Sequence, residues 1–541
     1  MEPLHIFIDA PEPKPGEGRT VILEPAADTV MEKALPSPDI SPQPGLDAFQ
    51  DARAIVRLTQ CSICSLPLRS PRTLPCGNSL CHKCMPECHV RQNISYPSVA
   101  GRREGFSCPF PDCRKEHSAA DCNLDVTLAK VMDIVDKELG SQTQFPEDTA
   151  LEVVVNVDCA GGYEERRRRM YGGRLAAVYA LSKQGGLYYD EDVTCTPLLG
   201  DNFGSSYLDY DALERLMDKA RADLECQVCY GMLLDPVTTY CGHTFCRGCL
   251  ERVLDHSRHC PSCRRLMHLP SVLPAQSSNK RLTELLVGLC PEALSQRALA
   301  GAMESMAGNG DGGLLTPIFV CTASYPGMPT PLHIFEPRYR LMVRRACESG
   351  VRKFGMLLPN RTGAPQGDLG VTPFMQYGTM LQIEEINMYP DGRSDVWTVG
   401  VSRFRVKRWG IRDEYIVADV ERVDDIPIIE EEAIEALETA LCLSSAQEAH
   451  APWMGLPTQT LLDIGHQFVD QMQAISAPWL HENNVLAFGQ RPDDPALFPY
   501  WLASVLPVTE TEKYRLLCST SVRERLQIVV GWIKKIETHR W

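Results

Sequence analysis

CQVCYGMLLDPVTTYCGHTFCRGCLERVLDHSRHCPSC, residues 226–263, holds eight metal-ligating side chains in four close pairs. The pairs are Cys226 and Cys229, Cys241 and His243, Cys246 and Cys249, and Cys260 and Cys263. Four ligands close one tetrahedral zinc, so eight make two structural sites with none left over. A disulfide cluster is the competing reading, and ligand spacing this regular disfavours it. Spacing alone leaves three ways of dividing the four pairs between two ions.

The same framework occurs earlier. Cys61-Ser-Ile-Cys64 matches Cys226-Gln-Val-Cys229, and in both copies eleven residues separate the second Cys from the third. Pro71 and Pro236 both stand five residues before that third Cys, and CGNSLCHKC (76–84) matches CGHTFCRGC (241–249). This is a duplicated zinc module. In the first copy Asn78 replaces the His, and an amide oxygen is a poor zinc ligand beside imidazole or thiolate. Its last pair, Cys108 and Cys113, is wider and follows a longer insert. Cys61, Cys64, Cys81 and Cys84 suffice for one site. The other has Cys76, Cys108 and Cys113, with His82, Cys88, His89 and His117 as candidates for a fourth ligand. One or two zinc ions are expected in residues 61–113, and a degenerate structural site is favoured over a hydrolytic three-ligand one.

Around these modules the chain of 541 residues has room for several domains. Most of its 23 cysteines lie between Cys61 and Cys263, a clustering that reads as metal binding in a reducing compartment. The N-terminus has no basic segment followed by an apolar one, and no apolar run is long enough to span a bilayer. Cytoplasm or nucleus is the expected location, without membrane contact. The net charge of −16 argues against general nucleic-acid binding. Arg166–Arg169 is an exception, read as a solvated run offset by Glu164 and Glu165 rather than a targeting signal.

Residues 1–55 read as a disordered tail rich in Pro, Asp and Glu, and 56–125 as the first zinc module. The connecting region 126–205 opens with a helix burying Leu128, Val131, Met132, Val135 and Leu139. It continues with two β-like runs, LEVVVNV and RLAAVYAL. Residues 206–290 are the second module (core 226–264) with flanking helices. Leu213, Leu216, Met217, Ala220 and Leu224 line the leading helix, with Asp211 and Glu214 as its capping pair, and Leu282, Leu285 and Leu286 the trailing one. Residues 291–313 read as a linker.

From 314 to 541 strands precede helices. LLTPIFVC, KFGMLLP, GTMLQIEEINMY, DVWTVGVSRFRVKRW and EYIVADVERV are strand-like, with a turn at Tyr389–Gly392. Glu336-Pro337 opens a helix that ends before Gly350. Later helices align Ile434, Leu437 and Leu441, then Ile464, Phe468 and Met472, then Leu526, Val529, Ile533 and Ile536. Thr509 with Glu512, and Ser521 with Glu524, are expected capping boxes.

The block at 226–263 resembles a RING finger of the three-Cys, one-His, four-Cys kind. That resemblance implies interleaved ligands: Cys226, Cys229, Cys246 and Cys249 on one zinc, Cys241, His243, Cys260 and Cys263 on the other. It also implies a surface for a ubiquitin-conjugating enzyme. Val228 and Val253 would belong to an apolar groove, Pro261 stands between the last pair, and Arg264 is where many active members bridge ubiquitin and the conjugating enzyme. A planar guanidinium suits that bridge, since its fork can bond two carbonyls.

PGMPTPLHIFEPRYRLM (326–342), GRSDVWTVGVSRFRV (392–406), EYIVADVE (414–421) and LPVTETEKYRLLCSTSVRERL (506–526) resemble the substrate-binding N-terminal domain of Lon proteases. That implies a β-barrel-like, PUA-like unit with a C-terminal helical subdomain. The combination resembles the LON peptidase N-terminal domain and RING finger family, without the helical repeats that familiar animal members carry between two RING-like modules. The expected fold is a multidomain α+β chain. The implied activity is a RING-type ubiquitin-protein ligase acting without a covalent intermediate, with ubiquitin, a conjugating enzyme and protein substrates as partners. The alternative is a non-catalytic zinc scaffold. An ATP-dependent protease is not expected, because no G-x-x-x-x-G-K-[S/T] loop occurs and the Lon-like part reaches Trp541. His333 and His466 lie in apolar patterns and read as packed rather than catalytic.

Overall fold

The computed structural model describes residues 45–538, apart from 97–100, 141–148, 160–161, 199–202, 268–272, 308–315, 445–451 and 482–486. Residues 1–44 of the expected tail and 308–313 of the expected linker lie outside the described residues. The rest of those two stretches is helical at its inner ends. Helix α1 (Ala52–Thr59) buries Ala52, Ile55 and Val56. The chain from Pro291 to Ala307 is also helix.

In the first module strand β1 (Pro71–Thr73) pairs with β2 (Ser79–Cys81), and β3 (His89–Val90), β4 (Glu104–Ser107) and β5 (Glu116–Ser118) make a small antiparallel sheet from the insert. Helix α2 (Val126–Gly140) follows and buries the five residues expected of it. Strands β6 (Ala150–Cys159), β7 (Gly162–Tyr171) and β8 (Asp192–Pro197) form a sheet in the order β7-β6-β8. LEVVVNV lies in β6, but RLAAVYAL is helix α3 (Arg174–Lys183), not a strand. Leu175, Ala177, Val178, Tyr179, Leu181 and Ser182 are all buried, so the helix is covered nearly all round and shows no apolar stripe to read. Arg166 and Arg167 are partnered by Glu191, Glu152 and Glu165, in line with a solvated run.

Helix α4 (Phe203–Arg221) begins well before Asp211, which is interior to it and pairs with Arg215 instead of capping. The second module repeats the ribbon with β9 (Pro236–Thr238) and β10 (Thr244–Cys246), adds α5 (Arg247–Leu254), and is followed by α6 (Lys280–Leu289) and α7 (Pro291–Ala307). One continuous apolar core runs from Ala48 to Cys290 through both zinc modules and the region between them.

The second half opens with β11 (Thr316–Val320), β12 (Pro329–Ile334), α8 (Pro337–Glu348) and β13 (Lys353–Pro359). Then come β14 (Phe374–Met388), β15 (Ser394–Arg412) and β16 (Tyr415–Val423). The sheet order is β12-β15-β14-β13-β11-β16, and a β15–β16 pairing closes it into a barrel. Strand β12 has no counterpart among the expected strands. Its two prolines remove ladder donors, and it pairs only with β15 at the sheet edge, where proline is tolerated. Glu336 stands at the N-cap position of α8 without a side-chain cap bond, and the Tyr389–Gly392 turn closes β14 onto β15 with Gly392 at φ +84°.

Helices α9 (Ile428–Ser444), α10 (Thr458–Ala474), α11 (Phe498–Val505), α12 (Glu510–Cys518) and α13 (Val522–Glu537) pack around Trp501, Phe468 and Trp532. Ser521 caps α13 through the Glu524 amide. Thr509 makes no side-chain cap, and the Glu512 carboxylate of the expected box accepts instead from Trp532 Nε1 (3.1 Å) and Arg515 (3.0 Å). Asp425, wholly buried, joins barrel to helices. It accepts from Arg403 at 2.7 Å and from Arg525 at 2.5 and 2.7 Å. Burial opposes its ionisation, but the two guanidinium groups outweigh that and hold the carboxyl below the usual range.

Helix α9 is inverted. Its Leu437 and Leu441 are 61% and 56% exposed, while Glu431, Glu432 and Glu435 are 1–2% exposed. Glu432 accepts from Arg91 and Arg102 of the first zinc module, 2.7 Å each. Glu435 accepts from Ser95 N (3.1 Å) and Thr458 N (2.7 Å). Tyr96 completes the contact by entering the core of the helical subdomain. The insert that widens the first module is thus its attachment to the second half.

Candidate metal centres

Four groups of ligand atoms converge, each within 4.8 Å: Cys61, Cys64, Cys81, Cys84; Cys76, Cys108, Cys113, His117; Cys226, Cys229, Cys246, Cys249; and Cys241, His243, Cys260, Cys263. The first and third ligand pairs of each module share one group and the second and fourth share the other, so both modules are interleaved. A Zn–S bond of about 2.3 Å sets ligand sulfurs about 3.8 Å apart. The Cys64–Cys81, Cys76–Cys108 and Cys229–Cys246 separations are 4.0 Å, right for a shared ion and twice too long for a disulfide.

The backbone builds these sites locally. The residue after the second Cys of a pair takes a positive φ in four places: Ser65 (61°), Arg114 (52°), Tyr230 (55°) and Arg264 (58°). At three of them its N–H closes on the carbonyl of the first Cys, as in Tyr230 to Cys226 and Ser65 to Cys61, 2.8 Å, and Arg264 to Cys260, 2.9 Å. That knuckle turns both sulfurs inward. Backbone amides then support ligand sulfurs at equivalent points, Arg69 N to Cys81 and Leu234 N to Cys246, both 3.2 Å.

The fourth member of the first module's second group is His117, buried, with Nε2 3.4 Å from Cys113 Sγ. Its position on β5 brings it back over Cys108, and the Cys113-x-x-x-His117 spacing was the available signal. His82, Cys88 and His89 are exposed and stay out; His89 pairs with Glu116 at 2.6 Å. Asn78 does not ligate. Its Nδ2 points at Cys76 Sγ (3.4 Å) and at Asp112, so it supports a ligand from outside.

The donor chemistry fits zinc. In each group one thiol is drawn down to about 4: Cys61, Cys76, Cys226 and Cys241. The main cause is donation from a neighbouring thiol, and that donor (Cys81, Cys108, Cys246 or Cys260) is pushed up in turn. Crowded sulfurs cannot all ionise together unless a cation joins them.

Of the remaining candidates on the second module, Val228 and Val253 are half-buried, and Pro261 and Arg264 are exposed. The Arg264 guanidinium makes no hydrogen bond or ion pair among the described residues. Its counterpart Arg114 folds back, Nε donating to Pro111 O at 3.1 Å. Two residues past Val253, Asp255 accepts from Arg422 of the barrel at 2.8 Å, and Arg258 pairs with Asp494.

Residues 225–263 match the zinc finger family of the C3HC4 type (RING finger), and 316–535 match the ATP-dependent protease La (LON) substrate-binding domain. A LON peptidase N-terminal domain and RING finger protein of Schizosaccharomyces pombe is 25% identical over 493 residues, 87% of this chain and 92% of that protein. The chain joins a RING finger to a LON substrate-binding domain, and it is similar to that yeast protein along most of its length. Over a shorter stretch, Polycomb group RING finger protein 3 of Mus musculus is 35% identical over 71 residues, 13% of this chain and 30% of that protein. Among solved structures, a Lon N-terminal domain protein from Xanthomonas campestris is 24% identical, with 40% of this chain and 97% of that one covered at a TM-score of 0.26. Zinc is the cofactor of this LON and RING finger chain, and all four ligand sets are suited to hold it.

Proposed function

We propose that the chain is a RING-type ubiquitin-protein ligase. Residues 226–264 recruit a charged ubiquitin-conjugating enzyme, and the Lon-like domain at 314–541 selects the protein substrate. The observation that carries this reading is Arg264. It is a solvent-exposed guanidinium without a side-chain partner among the described residues, set by a knuckle beside the second metal group, on the module that keeps its His243. Val228, Val253 and Pro261 supply the apolar contact. The chemistry asked of the protein is positioning: holding a thioester in attack geometry contributes several kcal/mol without a covalent intermediate. The barrel and helices fixed against α5 and the first module keep bound substrate at a set place relative to the RING. Thiolate zinc sites and free cysteines suit the reducing cytoplasm or nucleus.

The test is self-ubiquitylation with purified components and a panel of conjugating enzymes. Cys226→Ser and His243→Ala abolish transfer, and Arg264→Ala lowers it with zinc content intact. Transfer that survives Cys226→Ser refutes the reading. A scaffold would keep its partner in Arg264→Ala and show no transfer in any variant.

A further inference from the structure

The two zinc modules hold each other through contacts that each occur twice. Asp125 caps α2 by accepting from Leu128 N (2.9 Å), and Asn279 caps α6 by accepting from Leu282 N (3.1 Å). Asp125 N donates to Pro71 O and Asn279 N to Pro236 O, 2.9 and 2.7 Å, at equivalent prolines. The next amides cross over. Val126 N of the first module's helix donates to Gly242 O of the second module, and Lys280 N of the second module's helix donates to Gly77 O of the first, 2.9 Å each. At the centre Asn279 Nδ2 donates to Asp125 Oδ2 at 2.7 Å. Thr73 and Thr238, equivalent residues, donate to the same oxygen at 2.7 and 3.4 Å. Both caps are wholly buried. The crossing glycines have φ +82° and +86°, and a Cβ there would stand 2.1 Å from Ser278 O or 1.9 Å from Leu124 O. This is a two-fold dimer written into one chain.

Gly242 lies between the ligands Cys241 and His243, whose zinc also takes Cys260 and Cys263, the residue before Arg264. The amide of Val126 therefore steadies the loop that places Arg264. We propose that the first module is the RING's built-in dimer partner, with Asp125 and Asn279 as positioning residues, so that the chain transfers ubiquitin as a monomer. The surface that a second copy would need is already filled. This inference rests on the ligase reading.

The test uses the full chain. Asn279→Asp keeps a good cap for α6 but sets two buried carboxylates against each other. Exchanging the pair, Asp125→Asn with Asn279→Asp, restores a donor and an acceptor across the axis. We expect monomeric protein whose self-ubiquitylation rate per molecule is constant over about a hundredfold dilution, since a mass-action dimer would lose activity. Asn279→Asp slows transfer roughly tenfold, and the exchanged pair returns it to within about twofold, a coupling typical of contacting residues. Zinc stays at four per chain in the exchanged pair. A normal rate in Asn279→Asp, an exchanged pair that does not recover, or a rate rising with concentration overturns the proposal and leaves the ligase reading standing. No transfer by the unaltered chain with any conjugating enzyme overturns both.

Discussion

Glu432 is among the most deeply buried side chains where the two halves of the molecule meet, and replacing it by alanine tests the arrangement. Its carboxylate is 2% exposed and takes one 2.7 Å bond from Arg91 and one from Arg102, whose side chains are 2% and 4% exposed. Neither arginine is orphaned by the change. Arg91 keeps Glu116 at 2.9 Å, and Arg102 keeps Asp121. What is lost is two charge-assisted bonds across a buried junction, at about 1.5–3 kcal/mol each, so a weakening of about 3–6 kcal/mol is expected. At about 1.4 kcal/mol per decade that is about two to four orders of magnitude in association of the halves. The assay places a protease site between Ala307 and Thr316, cleaves it, and follows co-elution of the two fragments on dilution. The cleaved parent chain stays together, and Glu432→Ala separates. Glu430→Ala is the matched control. Its pair with Lys115 is 3.2 Å long and nearly half-exposed on both sides, and such pairs contribute at most about 1 kcal/mol. Equal affinity in Glu432→Ala and the parent, or equal weakening in Glu430→Ala, refutes the reasoning.

His117→Ala lowers bound zinc from four ions per chain to three, while the same change at His82 or His89 leaves four; elemental analysis decides it. Chelation melts the modules at residues 61–117 and 226–263 and leaves the barrel's circular dichroism in place, because a structural zinc contributes about as much as a small domain's whole stability. Glu431 gives a pH dependence. Burial pushes its carboxyl up from 4.5 to about 7. Its folded form holds the proton more tightly than the unfolded chain does. The associated stability is therefore complete below about pH 4.5 and falls as pH rises to about 7, by up to ~3 kcal/mol. Glu431→Gln flattens that slope in denaturant titrations followed by tryptophan emission between pH 5 and 8, and parallel curves for the two proteins would contradict it.

What the sequence disclosed follows from how local each signal is. A zinc knuckle needs only two cysteines and the turn between them, so Cys226–Cys263 was readable to the residue. The stripe of α2 was equally plain, because one face meets the core and the other meets water. Signals failed where burial came from several sides or from a distant charge. Helix α3 is covered almost all round, so its apolar residues had no period. His117 was one of four candidate ligands, and what singles it out is β5 folding back beside β4. The asymmetry between the two modules was visible at Asn78, but its meaning was not, since the first module's purpose lies in contacts made far along the chain.

Helix α9 carries this furthest. Its Leu437 and Leu441 pointed to an apolar face turned inward, and that rule holds whenever the helix's neighbour is apolar. Here the neighbour is the pair Arg91 and Arg102, set by an insert more than three hundred residues upstream. Two buried guanidinium groups need carboxylates more than a leucine needs a core, since an unpaired buried charge costs several kcal/mol and an exposed leucine about 2. Glu432 therefore takes the inner face, Glu431 and Glu435 beside it accept from Val522 N, Ser95 N and Thr458 N, and the leucines are left outside. The inversion is evidence that the first zinc module and the helical subdomain fold against each other, because α9 packed on any apolar partner would have turned the other way.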